Sequence, residues 1–195
     1  MEIQATKIKG LFEVTLASRG DERGFFMRTY DREIFGDQGL QVDWVQENQS
    51  LSRLAGTVRG LHFQRPPHCE TKLVRALAGR LLDVAVDLRR GSPTYGMHHA
   101  VELSPQNRKC LYIPKGFAHG FCTLESDTVI AYKVDSAYAP DAEDGVIWND
   151  PQLGINWPIS GEPACISSKD SLLSSLAEIE PVQLEVEPVK LKEAA

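Results

Sequence analysis

The stretch Arg59-Gly60-Leu61-His62-Phe63-Gln64, followed by Lys72, sets a guanidinium, an imidazole, an amide and an ammonium close together in one strand-like segment. An imidazole with an ordinary pKa of about 6.5 is free to take up a proton near neutrality. A fixed cation lowers the barrier for any step that leaves negative charge behind. If these side chains share a pocket face, the chemistry they suit is proton transfer. A second histidine segment, Ile113 to Phe121 with His119 in it, follows an apolar, β-rich run. Two such segments separated by strands suggest one cavity built on a sheet.

Each residue also has a plainer reading. A strand histidine such as His62 is commonly a satisfied, half-buried residue, and Lys72 could be a solvated strand edge. Arg59 could pair with a surface carboxylate at little energetic gain. Tyr132 could be a core tyrosine with a bonded hydroxyl. Asp83 and Asp87 share a strand face without meeting, and with Arg89 and Arg90 nearby they read as structural, although Asp83 could support the histidine region. Arg28 could be a solvated strand charge.

The elements that must position these groups are mostly strands. Residues 7 to 17 read as a first strand pair, and Ser18 to Gly24 is turn chemistry leading into an extended Phe25 to Tyr30. Asp31 can cap a short helix over Arg32 to Phe35, closed by Gly36 and Gly39, before Val42 to Asn48 resumes an extended pattern. From Thr57 to Tyr132, short β-rich runs (Lys72 to Ala76, Arg80 to Leu88, His98 to Leu103, Lys109 to Ile113, Thr128 to Val134) alternate with Pro, Gly and Asn turns. Many evenly spaced strands predict an all-β sandwich or jelly roll with a few short peripheral helices.

A chain of 195 residues that is 42% hydrophobic can bury one substantial core. Residues 1–180 are expected to form a single domain, and the charged segment 181–195 a loosely held tail. The net charge of −6, with no basic run, argues against nucleic-acid binding, so an anionic ligand must meet a local cationic cluster. Cys69, Cys110, Cys122 and Cys165 lack CxxC spacing and read as reduced, structural thiols. The N-terminus lacks a signal-peptide pattern, and no stretch approaches the roughly 20 apolar residues of a membrane span. A cytoplasmic location with no membrane partner is the expectation.

Taken in order, Asp21 to Phe26, Val45 to Asn48, Arg59 to Gln64, Lys72 to Arg75, Asp83 to Arg89, Ile113 to Phe121, Trp148-Asn149-Asp150 and Lys169-Asp170 resemble the dTDP-4-dehydrorhamnose 3,5-epimerase family. Any one of these motifs is weak; their joint order and spacing, from about residue 5 to residue 176, is specific. The resemblance implies a cupin double-stranded β-helix that forms a homodimer. It also implies metal-free, cofactor-independent epimerisation at C3 and C5 of dTDP-4-dehydro-6-deoxy-D-glucose, giving dTDP-4-dehydro-L-rhamnose.

By the same resemblance His62 is the base that takes the proton beside the ketone, and Asp170 orients its ring. Lys72 stabilises the enolate oxygen, and Tyr132 returns a proton from the opposite face. Two faces need two groups, because one group would only restore the original configuration. Arg23 and Arg59 match diphosphate-contacting positions, with guanidinium forks suited to phosphate. Gln46, Asn48, His119, Glu143 and Lys169 match further substrate-binding positions, and Phe26 and Tyr138 offer flat faces for stacking. Metal sites of cupins use a His-x-His pair with a carboxylate, and His62-Phe63-Gln64 lacks the second histidine, so no metal is expected.

Several positions depart from the family pattern. Arg28 stands where an acidic residue is usual at the nucleotide end, which opens the nucleotide to CDP or another base. Gln49 replaces a histidine, His68-Cys69-Glu70-Thr71 replaces a Gln/Gly-rich approach to Lys72, and Met97-His98-His99 replaces a segment with a tryptophan. A 3-epimerase or 3,5-epimerase of a different 4-keto deoxysugar nucleotide, a non-catalytic sugar-nucleotide-binding cupin and a metal-dependent cupin remain the alternatives.

Overall fold

Along β8 (Leu81–Asp87), Leu81 and Ala85 pack into one apolar cluster while Val84 and Val86 pack into another. Side chains alternate across a strand, so a strand buried on both faces must lie between two layers. The same alternation organises the rest of the chain, in a computed structural model that describes residues 1–41 and 43–184.

Two antiparallel sheets carry the architecture. One has six strands in the order β1-β2-β10-β7-β12-β5, formed by Glu2–Ala5, Phe12–Thr15, Lys109–Ile113, Lys72–Ala78, Thr128–Val134 and Gln46–Ser52. The other has five in the order β13-β6-β11-β8-β9, formed by Glu143–Gly145, Val58–Gln64, Phe117–Thr123, β8 and His98–Leu103. Val74, Leu111 and Ile130 of the first sheet meet Leu81, Ala85, Val101, Phe117 and Phe121 of the second in one buried cluster, so the two sheets face each other. This is the jelly roll expected from the strand spacing.

Each sheet is also covered on its outside. Trp148, Trp157, Leu176, Ile179 and Val182 of the C-terminal segment cover Leu61, Phe63, Val84 and Val86. Phe35, on the helix α1 (Arg32–Asp37), seals Val14, Leu73, Cys110 and Tyr112 on the other side. The predicted cap is in place, with the Asp31 side chain accepting from the backbone N–H groups of Glu33 and Ile34.

Several boundaries differ from the sequence expectations. Ser18–Asp21, read as turn, forms a strand, the extended run from Phe25 stops at Met27, and the helix expected to close after Phe35 runs through Gly36 to Asp37. The first strand pair is β1 with β2, and Thr6 to Leu11 forms the turn, where Gly10 takes a φ of +89°. The strand expected over Val42 to Asn48 begins at Gln46, Val42 lying outside the described residues. The packed body also continues past 180: Val182 is 1% exposed and its backbone bonds Leu88 and Arg90. Of the expected tail, 185–195 lies outside the described residues.

One hairpin stands apart. Among the described residues, strands β3 (Ser18–Asp21) and β4 (Gly24–Met27) pair only with each other, and Phe25 and Phe26 at the hairpin's end are 70% and 68% exposed. Among the described residues no helix is long and apolar enough to cross a membrane.

Candidate active site between the two sheets

Strand alternation decides which side chains meet. In β6, Leu61 and Phe63 point into the outer cluster, so His62 between them faces the other sheet. In β7, Val74 and Ala76 belong to the inner cluster and Lys72 shares their face. In β12, Ile130 is inner and Tyr132 packs against the same cluster. His62 therefore comes from one sheet, while Lys72 and Tyr132 come from the opposite one. A ring held between the sheets has the imidazole and the phenol on different sides.

A close backbone approach sets the first sheet's side of the site. Gly60 lies at φ +109°, and a Cβ there would sit 2.7 Å from both Gly120 Cα and the His119 carbonyl. Only glycine allows β6 and β11 to come so near, and this approach brings His62 opposite His119 in the ladder. The Gly60 N–H donates to Asp170 Oδ2 at 2.9 Å. The other carboxylate oxygen, Oδ1, is 2.9 Å from His62 Nε2. An ionised carboxylate can only accept, so the His62 nitrogen facing it carries the proton and the second ring nitrogen keeps its lone pair. Burial would raise the Asp170 carboxyl, but the His62 and Gly60 hydrogen bonds, the His62 charge and Ser167 outweigh it and hold it at about 2.

A cavity of about 410 Å³ is lined by Arg59, His62, Lys72, His119, Tyr132 and Asp170, among others. A second, of about 270 Å³, is lined by Gln46, Asn48, Glu70, Tyr138 and Glu143. His62, Lys72 and Tyr132 line both, so the three groups suited to the chemistry stand where the two spaces meet. The ladder explains the second cavity: Asn48 lies opposite Tyr132 and Gln46 opposite Val134, so both share the inward face of Tyr132. Glu143 Oε2 accepts from the Tyr138 hydroxyl and from Lys169 Nζ, which brings Lys169 to the rim. Arg59 is tied by its guanidinium to Ser52 Oγ at 3.1 Å and to the Leu51 carbonyl at 3.2 Å.

Burial pushes the Tyr132 phenol above its usual value, the carboxylates of Glu70 and Glu143 add to this, and Arg59 opposes it. Tyr132 is thus protonated across the neutral range and suited to give a proton. Glu143 is held below the usual carboxylate range: its burial acts upward, while Lys169, Tyr138 and the His62 charge outweigh that effect.

Three expected binding residues do not join this cavity within the chain. Arg23, Phe26 and Arg28 sit on or beside the β3–β4 hairpin, where Arg23 pairs with Asp21 and Arg28 with Asp31. The reason is topological: the hairpin pairs with neither large sheet. Two further groups stand beside these residues. Asp83, read as a structural residue that could support the histidine region, is fully buried with one carboxylate oxygen 2.7 Å from His119 Nε2, and it orients that ring. Glu70, read only as part of an altered approach to Lys72, is an ion-pair partner of that lysine. Glu70 precedes the strand that begins at Lys72, so strand alternation gave no signal for this pairing. Among the described residues no group of three or more His, Cys, Asp or Glu side chains is arranged to hold a metal ion.

Known proteins resemble this chain over most of its length. The sequence profile of the family described as dTDP-4-dehydrorhamnose 3,5-epimerase matches residues 5–178. A dTDP-4-dehydrorhamnose 3,5-epimerase of Sinorhizobium fredii is 49% identical over 160 residues, 82% of either chain. The crystal structure of the Bacillus anthracis enzyme of that name, with TDP and PPi bound, is 41% identical, covers 89% of this chain and 98% of its own, and superposes with a TM-score of 0.86. A Legionella pneumophila 3,5-epimerase solved in complex with dTDP-4-keto-L-rhamnose is 38% identical, covers 95% of this chain and 99% of its own, and gives 0.88. The chain belongs to the dTDP-4-dehydrorhamnose 3,5-epimerase family.

Proposed function

We propose that this protein epimerises C3 and C5 of dTDP-4-dehydro-6-deoxy-D-glucose to give dTDP-4-dehydro-L-rhamnose, by proton transfer between two sheets. His62 removes the proton on the carbon beside the C4 ketone, and the electron pair moves onto the C4 oxygen as an enolate. Lys72 stabilises that oxygen. Tyr132 delivers a proton to the same carbon from the other side, inverting it; the imidazolium then releases its proton to water and the phenolate takes one up, which resets the pair, and a turn of the sugar ring presents the second carbon to it. Asp170 holds the His62 ring and offsets the imidazolium that forms. The observation that carries this reading is the placement of His62 on one sheet and of Lys72 and Tyr132 on the facing one, with all three lining the shared wall of two cavities.

Arg59, Gln46, Asn48, His119, Tyr138, Glu143 and Lys169 bind the remainder of the sugar nucleotide in this reading. We also place the chain in a homodimer. A two-stranded hairpin ending in two exposed phenylalanines is marginal without cover, and a second copy supplies that cover. The same contact is the route by which Arg23, Phe26 and Arg28 reach a substrate, in the partner's cavity. Sedimentation as a monomer at assay concentrations would remove both the dimer and these three residues from the site. All four cysteines are unpaired, which suits the cytoplasm; recovery of the protein from an oxidising compartment on cell fractionation would contradict that placement.

The test is product analysis by NMR in heavy water, with dTDP- and CDP-linked 4-keto-6-deoxyglucose side by side. The expected result is deuterium at C3 and C5 and an L-configured product from the dTDP substrate. No exchange with either substrate overturns the epimerase assignment. Exchange at C3 alone makes the protein a 3-epimerase, equal or reversed nucleotide preference defeats the thymidine assignment, and activity lost to a chelator points to a metal-dependent reaction.

A further inference from the structure

The Lys72 ammonium, at the junction of the two cavities, has a carboxylate against it. Lys72 Nζ and Glu70 Oε1 are 2.9 Å apart, and the two side chains are only 10% and 13% exposed. An ion pair this dry is poorly explained as a source of stability, because removing both charges from water costs about as much as their attraction returns. It is also held in place by the chain around it. The Thr71 N–H donates to Asp135 Oδ1 at 2.6 Å, and Cys69 is buried, so the segment entering β7 is fixed with the Glu70 side chain against Lys72. Glu70 lines only the second cavity, whereas Lys72 lines both.

We propose that Glu70 is a positioning residue of this site: its carboxylate anchors the Lys72 ammonium from the second cavity and so aims the rest of its N–H donors at the substrate's carbonyl oxygen in the first. The inference rests on the epimerase reading for its catalytic meaning, and on the ion pair for its geometry. An ammonium carries three donors on a flexible stem and is aimed only if something else holds it. Glu70 has a second consequence. Its charge is one of the causes that keep the Tyr132 phenol protonated, after burial and together with Glu143, against Arg59. His62, Lys72, His119, Cys165 and Asp170 are the other ionisable groups around that phenol in the first cavity. One carboxylate thereby tunes both the cation and the acid.

The experiment uses the full chain with Glu70→Gln and Glu70→Ala, and Tyr132→Phe as a spectroscopic blank. In substrate-free protein, ultraviolet titration of phenolate absorbance isolates Tyr132 by difference from the blank made in the same background. Removing the Glu70 charge removes a repulsion that disfavours phenolate, so the Tyr132 midpoint falls to lower pH in Glu70→Gln. In turnover, Glu70→Ala is expected to lower kcat about 10–100-fold with KM changed less than about threefold, the scale of losing a group that orients a reacting one. Glu70→Gln keeps an acceptor for the ammonium and recovers most of that loss, but its kcat declines at a lower pH than wild type on the alkaline side. Unmoved Tyr132 midpoints together with kcat within about twofold of wild type in both variants would overturn the proposal, as would equal losses in the two variants that track melting temperature alone. If the wild-type protein does not turn over, the epimerase reading fails, and the phenolate titration still decides the position of the Glu70 charge.

Discussion

Replacing Asp170 by Asn is the most revealing perturbation of this site. Both oxygens of the carboxylate accept, Oδ2 from the Gly60 N–H and Oδ1 from the His62 ring, each at 2.9 Å. An asparagine has one acceptor and two donors, so it cannot serve both. If its oxygen stays with Gly60, its amide faces His62 as a donor, the ring must offer a lone pair there, and the proton moves to the nitrogen meant to act as base. The site then holds the wrong tautomer. The loss of kcat should be about 10²–10⁴-fold, the range set by removing or neutralising an orienting carboxylate in other base dyads, with KM within about threefold.

The ionisation of Asp170 gives the stability side of the same argument. Its carboxyl lies at about 2 against an ordinary 3.8, and its side chain is 7% exposed, so solvent screening takes little from the difference. That gap corresponds to about 2 kcal/mol favouring the folded protein at neutral pH. Since the folded value is the lower one, the contribution is complete above about pH 4 and is lost as pH falls through about 2. Asp170→Asn should therefore melt about 4–8 °C lower than wild type at pH 7, and the gap should close as the pH is lowered toward 2. Turnover is read by deuterium entry at C3 and C5, and folding by calorimetry. A variant that keeps more than about a third of wild-type kcat would refute the orienting role.

Other substitutions separate the remaining roles. Tyr132→Phe removes the proton donor but leaves the base, so solvent deuterium should continue to exchange on the His62 face while inverted product falls by about 10²-fold; equal losses of exchange and inversion would show that Tyr132 is not the returning acid. His62→Ala and Lys72→Gln should be more damaging than Tyr132→Phe, with about 10²–10³-fold lost at Lys72 as for a single oxyanion donor, since water can replace a phenol more readily than a fixed cation. Gly60→Ala places a Cβ 2.7 Å from two backbone atoms at φ +109°, so denaturant titration should show about 3 kcal/mol or more of destabilisation together with loss of activity. A Gly60→Ala protein as stable as wild type would mean that β6 and β11 need not approach so closely.

Much of this site was legible in the chain because its signals are local. Asp31 before a helical run, the turns at Gly91 and Ser104, and the β-rich runs between them follow from short-range propensity and are where they were expected. The glycine-flanked histidine segments and the Lys-Leu-Val-Arg run, in their order, were enough to indicate the family and the residues of its chemistry. The sequence also marked Glu70 as a departure, although nothing in its neighbours said what it would touch.

What remained hidden depends on contacts between residues far apart in the chain. Asp170 meets His62 across 108 residues, a pairing that only the family resemblance had indicated, and Asp83 meets His119 across 36. Periodicity assigns each side chain to a face of its own strand, but only the pairing of sheets decides that the faces of β6 and of β7 and β12 look at each other. For the same reason no pattern in Arg23-Gly24-Phe25-Phe26 could show that their hairpin leaves both large sheets. Residue types and spacing thus determined which groups were available for proton transfer. The closing of one sheet over the other put base and acid on opposite sides of a common space, and that is a property of strand order and register that no single segment contains.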